Sequence, residues 1–218
     1  MDERLSQARQ LYERAVFGGD AGALADADRK LDAVEADLAV ARGRLMHTRF
    51  LLRRDEDPAQ AVEDPGELAL FERAAQLYRA LGDRGGEAEA QFWVGCFHQV
   101  VRRDNATAVP ALERSLDLAS RAGDKETMSE ALRHLGIQAH ATGRMDLARR
   151  RLEASALLRR ELGLLPGVAA NLIGLAYIAA AEGRRDDALA LLDEAGAIAG
   201  AHQAPRILQQ VSEARRSI

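Results

Sequence analysis

The residues best suited to chemistry are one cysteine and a scatter of histidines. Cys96 and His98 stand two apart; on a helix, which the surrounding pattern predicts, they point roughly 200° apart and do not share a metal ion. His47, His98, His134 and His140 fall in successive segments, so their convergence in space stays open, although scattered histidines more often serve as surface or hydrogen-bonded core groups. Catalysis would need them to meet Glu89 or Glu130 in a closed pocket, and the spacing suggests no substrate class. The chain has no G-x-S-x-G nucleophile turn, no G-x-x-x-x-G-K-[ST] phosphate loop and no H-E-x-x-H zinc helix. The glycines of Gly82-Asp83-Arg84-Gly85-Gly86 follow no predicted strand, so they read as a helix ending and not as a phosphate cradle. We expect no catalytic residue, no metal and no cofactor.

Two basic runs, Arg149-Arg150-Arg151 and Arg159-Arg160, suggest a nucleic-acid stripe until their neighbours are read. Asp146, Glu153 and Glu161 interleave with them and no aromatic residue lies among them for stacking. The whole chain carries 30 basic and 34 acidic residues, a formal charge of -4, which lacks the positive excess that displaces counterions from a phosphate backbone. No nucleic-acid partner is expected.

The elements that must position these groups follow from composition. Of the 218 residues 47% are hydrophobic but only 4% aromatic, and the apolar share rests on alanine and leucine, which favours helices over sheets. A single cysteine leaves no intrachain disulfide and suits a reducing cytosol. MDERLSQARQ is too charged to open a secretory signal. The longest uncharged stretch, Leu162 to Ala181, is interrupted by Pro166, Gly167, Asn171 and Gly174, so it reads as a buried helix and no membrane span is expected.

The chain also repeats itself. Phe71-Glu72-Arg73-Ala74, Leu112-Glu113-Arg114-Ser115, Leu152-Glu153-Ala154-Ser155 and Leu192-Asp193-Glu194-Ala195 recur at offsets of 41, 40 and 40. Such a period means stacked supersecondary units, each covering its neighbour's apolar face. One unit reads Leu132-x2-Leu135-Gly136-x2-Ala139-x3-Gly143-x4-Ala148-x3-Leu152-x2-Ser155. Large residues three and four apart line one face of each of two helices, small residues admit the partner helix, and Gly143 closes the first helix.

These spacings resemble the tetratricopeptide repeat family in a variant with an enlarged unit of about 40 residues. The resemblance implies an all-α superhelix, a solenoid of antiparallel helix pairs. Residues 1–35 read as a degenerate N-terminal helix pair, followed by repeat-like units at 36–84, 85–124, 125–164 and 165–202. A helix at 203–218, opened by Pro205, caps the last unit. Within 36–84, the ending Phe50-Leu51-Leu52-Arg53-Arg54-Asp55 matches Gln99-Val100-Val101-Arg102-Arg103-Asp104 at offset 49, whereas the second helices are offset by 41. An acidic insertion at 55–65, with two prolines, accounts for the difference.

The resemblance further implies that first helices line a concave groove through their fifth, ninth and twelfth positions. Carried over, these are Arg44, Trp93, Arg133 and Ile173; Thr48, Phe97, Ile137 and Tyr177; and Leu51, Val100, His140 and Ala180, with Glu130 added at the second position of its unit. Arg44, Trp93, Phe97, Glu130, Arg133, His140 and Tyr177 form the expected contact set. They suit a peptide whose carboxylates meet the arginines and whose apolar side chains meet the aromatics. Two competing readings stay open: Trp93 and Phe97 pack between helices, or the acidic loop folds back onto Arg44. The expected function is a non-catalytic cytoplasmic scaffold or adaptor for a protein or acidic peptide. The alternative is a regulatory sensor of a small peptide or small acidic metabolite. Self-association through the N-terminal pair is left open.

Overall fold

The computed structural model describes residues 2–218. Among these the chain is all-α, and within each of two compact units the helices pack consecutively, each on its neighbour, in the manner of an α-solenoid. Two compact units are defined, residues 1–122 and 123–218.

The first unit holds α1 (Glu3–Gly18), α2 (Gly22–Glu56), α3 (Pro65–Leu81), α4 (Arg84–Val100) and α5 (Asn105–Ala122). Its largest departure from expectation is α2, which runs unbroken across the unit boundary expected between residues 35 and 36. No proline interrupts 23–57, and the intervening alanines, leucines and charged residues are good helix formers. The one interior glycine, Gly43, ends nothing: it leaves room for the buried ring of Phe71, which a Cβ would strike. One helix thus serves both as partner of α1 and as first helix of the next pair.

Between α2 and α3 lies a short 3-10 turn, Pro58–Gln60. Asp57 caps this turn and Asp64 caps α3, each carboxylate accepting a backbone N–H two residues on. The loop is fastened to α4's far end by Glu63, which accepts from the Arg102 guanidinium at 2.6 and 3.1 Å. It does not fold back onto Arg44, whose polar partner is Glu89.

The second unit holds α6 (Lys125–Ala141), α7 (Met145–Glu161), α8 (Leu165–Ala181), α9 (Arg185–Ala201) and α10 (Pro205–Ser217). Gly143 and Gly183, at φ of 73° and 77°, close α6 and α8 in the left-handed conformation that a side chain would strain. The core runs along α8 through Val168, Leu172, Ala176 and Ala179 to Leu192 and Ala195 of α9. At the end of this stack α10 lays Val211 and Ala214 against α8 and α9. The uncharged stretch is therefore a core helix. No helix among the described residues is long and apolar enough to cross a membrane.

Candidate functional site

Four of the seven expected contact residues belong to the second unit, and three of these line one cleft. Arg133 and His140 of α6 and Tyr177 of α8 surround a volume of about 320 Å³ together with Ile137, Ile173 and Gly174. The forty-residue spacing brings them together because α6 and α8 are the first helices of successive pairs. Positions 133, 137 and 140 of one helix thus face 173 and 177 of the next. Sequence reasoning missed the remaining wall, Gln210 and Glu213 of α10. Their signal is the polar side of a capping helix, which does not reveal what that side faces.

Arg133 dominates the electrostatics. Its Nη1 donates to Asn171 Oδ1 at 2.8 Å, and among the described residues no carboxylate lies within ion-pair distance of it. Glu130, one turn away, is committed to Arg159, whose Nη2 lies 2.6 Å from its Oε2. Burial, and then the repulsion of Arg159, push the Arg133 guanidinium down to about 10, against an upward pull from Glu130. A part-buried cation facing a cleft, held by a neutral amide, favours an incoming anion. Tyr177 and Ile137 are exposed on the same wall, at 37% and 40%, and offer apolar surface beside it. Glu213, which accepts from Gln209 at 2.9 Å, puts a negative charge on the α10 side and suits N–H donors there.

Glu130 thus contributes through Arg159 and not as a contact on the wall. Arg159 is itself buried, donating to the Gly167 carbonyl at 3.0 Å, and locks α7 between α6 and α8. A second hollow, lined by Arg149, Glu153, Arg184, Asp187 and Glu194, differs in kind. Its arginines are satisfied by Glu182 and Asp187, so it has no cation left over for an anionic ligand.

In the first unit the expected set divides differently. Arg44 is exposed and sits over the half-buried Trp93, 5.6 Å from the ring centroid, so these two share a surface. Trp93 also packs inward, stacked on Phe71 at 5.5 Å and edge-on to His47 at 5.6 Å. Phe97 leaves the contact set: it is fully buried. Its repeat equivalents Ile137 and Tyr177 are exposed, and the difference is the insertion. The loop's Glu63 holds Arg102 so that its guanidinium lies 5.0 Å from the Phe97 ring centroid and covers it.

Sequence reasoning also missed a buried polar trio. His47 Nδ1 lies 2.8 Å from Glu67 Oε1, and its Nε2 lies 3.7 Å from Cys96 Sγ. The three residues come from α2, α3 and α4 and tie these helices together beneath Trp93. The carboxylate and the thiol occupy opposite nitrogens of one ring, so they cannot converge on a shared ion. Among the described residues no group of three His, Cys, Asp or Glu side chains is placed to hold a metal.

No family model matches the chain and no curated protein matches it. Among solved structures it is similar to BtubC (BKLC) from P. vanneervenii, with a TM-score of 0.50 and 15% identity, over 92% of this chain and 90% of that one. At this identity the similarity bears on the fold alone.

Proposed function

We propose that the protein is a non-catalytic, tetratricopeptide-like adaptor of the cytoplasm that binds an acidic peptide segment in the cleft between α6, α8 and α10. The observation that carries this reading is the Arg133 guanidinium, part-buried and without a carboxylate partner among the described residues, at the wall of a cleft that also presents Tyr177, Ile137 and Ile173. A carboxylate from the ligand supplies the missing counter-charge, the exposed aromatic ring takes a neighbouring side chain, and Glu213 and Gln210 accept or donate to its backbone. Charge-assisted hydrogen bonds of this kind contribute about 1.5–3 kcal/mol each when shielded from water. One such bond with one aromatic anchor is in keeping with micromolar affinity.

A second reading is favoured by the size of the cleft. A volume of about 320 Å³ lies at the small end of ligand pockets, which run from roughly 300 to 1,000 Å³, and suits a small acidic metabolite sensed by the same arginine. Thermal-shift titration of the full chain separates the two. Under the adaptor reading, acidic hexapeptides raise the melting temperature more than dicarboxylic acids do at equal concentration. The sensor reading expects the reverse order. Absence of any shift with either class contradicts both.

A further inference from the structure

The long helix α2 carries a pattern that neither the repeat nor the cleft uses. Leu24, Leu31, Leu38, Leu45 and Leu52 recur every seven residues along it, and each is 44–59% exposed. Seven residues are nearly two turns, so these leucines form one stripe about 42 Å long at 1.5 Å per residue. A second stripe runs beside it, four residues after each of the first four leucines: Asp28, Glu35, Arg42 and Arg49. All four are exposed. The order is acidic in the first half and basic in the second.

The flank on the other side of the leucines is already engaged. Asp37 accepts from Tyr78 Oη at 2.5 Å and pairs with Arg4 of α1, and Arg44 lies over Trp93. On the open flank, Asp28, Arg42 and Arg49 have no hydrogen-bond or ion-pair partner among the described residues, and Glu35 pairs with Arg73. An exposed apolar stripe beside unspent charges of both signs marks a contact surface.

We propose that this face of α2 is a self-association surface, on which α2 of a second copy packs antiparallel about a two-fold axis at Leu38. The register is set twice, by independent residues. A two-fold axis there puts Leu24 opposite Leu52, Leu31 opposite Leu45, and Leu38 opposite its own copy. The same axis, within one residue, puts Asp28 opposite Arg49 and Glu35 opposite Arg42 across the seam. Because only one flank is open, the two charged stripes meet only if the helices run in opposite directions; parallel helices place them on opposite sides of the seam. An isologous pair repeats every contact, so each ion pair occurs twice. The inference is independent of the second-unit cleft.

Sedimentation equilibrium of the full chain across a concentration series tests it. The wild-type chain forms a reversible dimer, and Leu38→Glu, which sets two carboxylates face to face at the axis, sediments as a monomer with unchanged helical circular dichroism. Asp28→Arg and Arg49→Asp, at exposed and unpartnered positions, each weaken the dimer by roughly three- to tenfold. An equimolar mixture of these two variants regains wild-type affinity, because the mixed antiparallel pair has opposite charges at both ends. A wild-type chain that stays monomeric overturns the proposal, as does a Leu38→Glu dimer. A mixture no tighter than its components overturns the antiparallel register.

Discussion

Arg133 and Asn171 face each other across the α6–α8 contact, the guanidinium donating to the amide oxygen at 2.8 Å. The bond is the outer end of a buried chain. Asn171 Nδ2 donates to Ser155 Oγ at 2.8 Å, and Ser155 Oγ donates to the Ser129 carbonyl at 2.6 Å. Three helices are therefore joined by polar groups that end at the cleft, and the arginine is positioned before any ligand arrives. Preorganisation of this kind limits the entropy that binding must overcome.

Replacing Arg133 by methionine separates recognition from folding. The substitution leaves Asn171 Oδ1 without its donor, a loss of about 1 kcal/mol, but also removes a part-buried charge repelled by Arg159, which offsets it. The melting temperature should stay within about 4 °C of wild type while capture of acidic peptide is lost. Retained capture would show that the arginine is not the contact.

Ser155→Leu tests the interior end of the same chain. Ser155 is fully buried, so the larger side chain overpacks the α6–α7–α8 junction and severs two hydrogen bonds. The combined cost should be about 2–4 kcal/mol, measured by urea denaturation. A change below about 0.5 kcal/mol, the range of ordinary surface substitutions, would mean that the junction is not packed as described.

Gly43→Ala inverts the usual helix rule. Alanine in a helix interior normally stabilises by about 0.5–1 kcal/mol relative to glycine. Here the added Cβ meets the ring of Phe71, which is fully buried and stacked on Trp93 and has no room to withdraw. Thermal melts should show destabilisation of about 1–3 kcal/mol; a stabilised variant would contradict the α2–α3 packing.

Acid sensitivity should map in part to Glu87. Burial alone would raise its carboxyl, but hydrogen bonds from Arg114 and Arg79, each at 2.9 Å, outweigh this and hold it below the usual glutamate range. A depressed folded value means that its stabilisation is full above the ordinary glutamate range and is lost as pH falls through the folded value. Glu87→Gln should cost about 1–2 kcal/mol at neutral pH, at the lower end because both guanidiniums are about half exposed. The variant should also lose less stability than wild type on acidification. Parallel pH profiles of the two proteins would contradict the assignment.

The helix boundaries of the second unit were legible because each pair carries its own punctuation, with Gly143, Gly163 and Gly183 all in the left-handed conformation. The continuity of α2 was not, since a helix lacking a breaker does not announce where one repeat ends and the next begins. The resemblance implied Arg133, His140 and Tyr177 as groove positions, and they line one cleft because they share a frame. It failed at Phe97, where the contact that matters, Arg102 held by Glu63, comes from an insertion outside the frame. The His47, Glu67 and Cys96 trio was hidden for a similar reason: its members lie on three helices and only packing brings them together.

The adaptor proposal predicts that Arg133 takes a carboxylate from the ligand. Selection of a displayed random peptide library with free C-termini against the full chain, repeated with Arg133→Met, tests it most directly. The wild-type chain should enrich peptides with aspartate, glutamate or an essential terminal carboxylate next to an apolar residue, and Arg133→Met should enrich none of them. Enrichment of the same peptides by both proteins would contradict the claim.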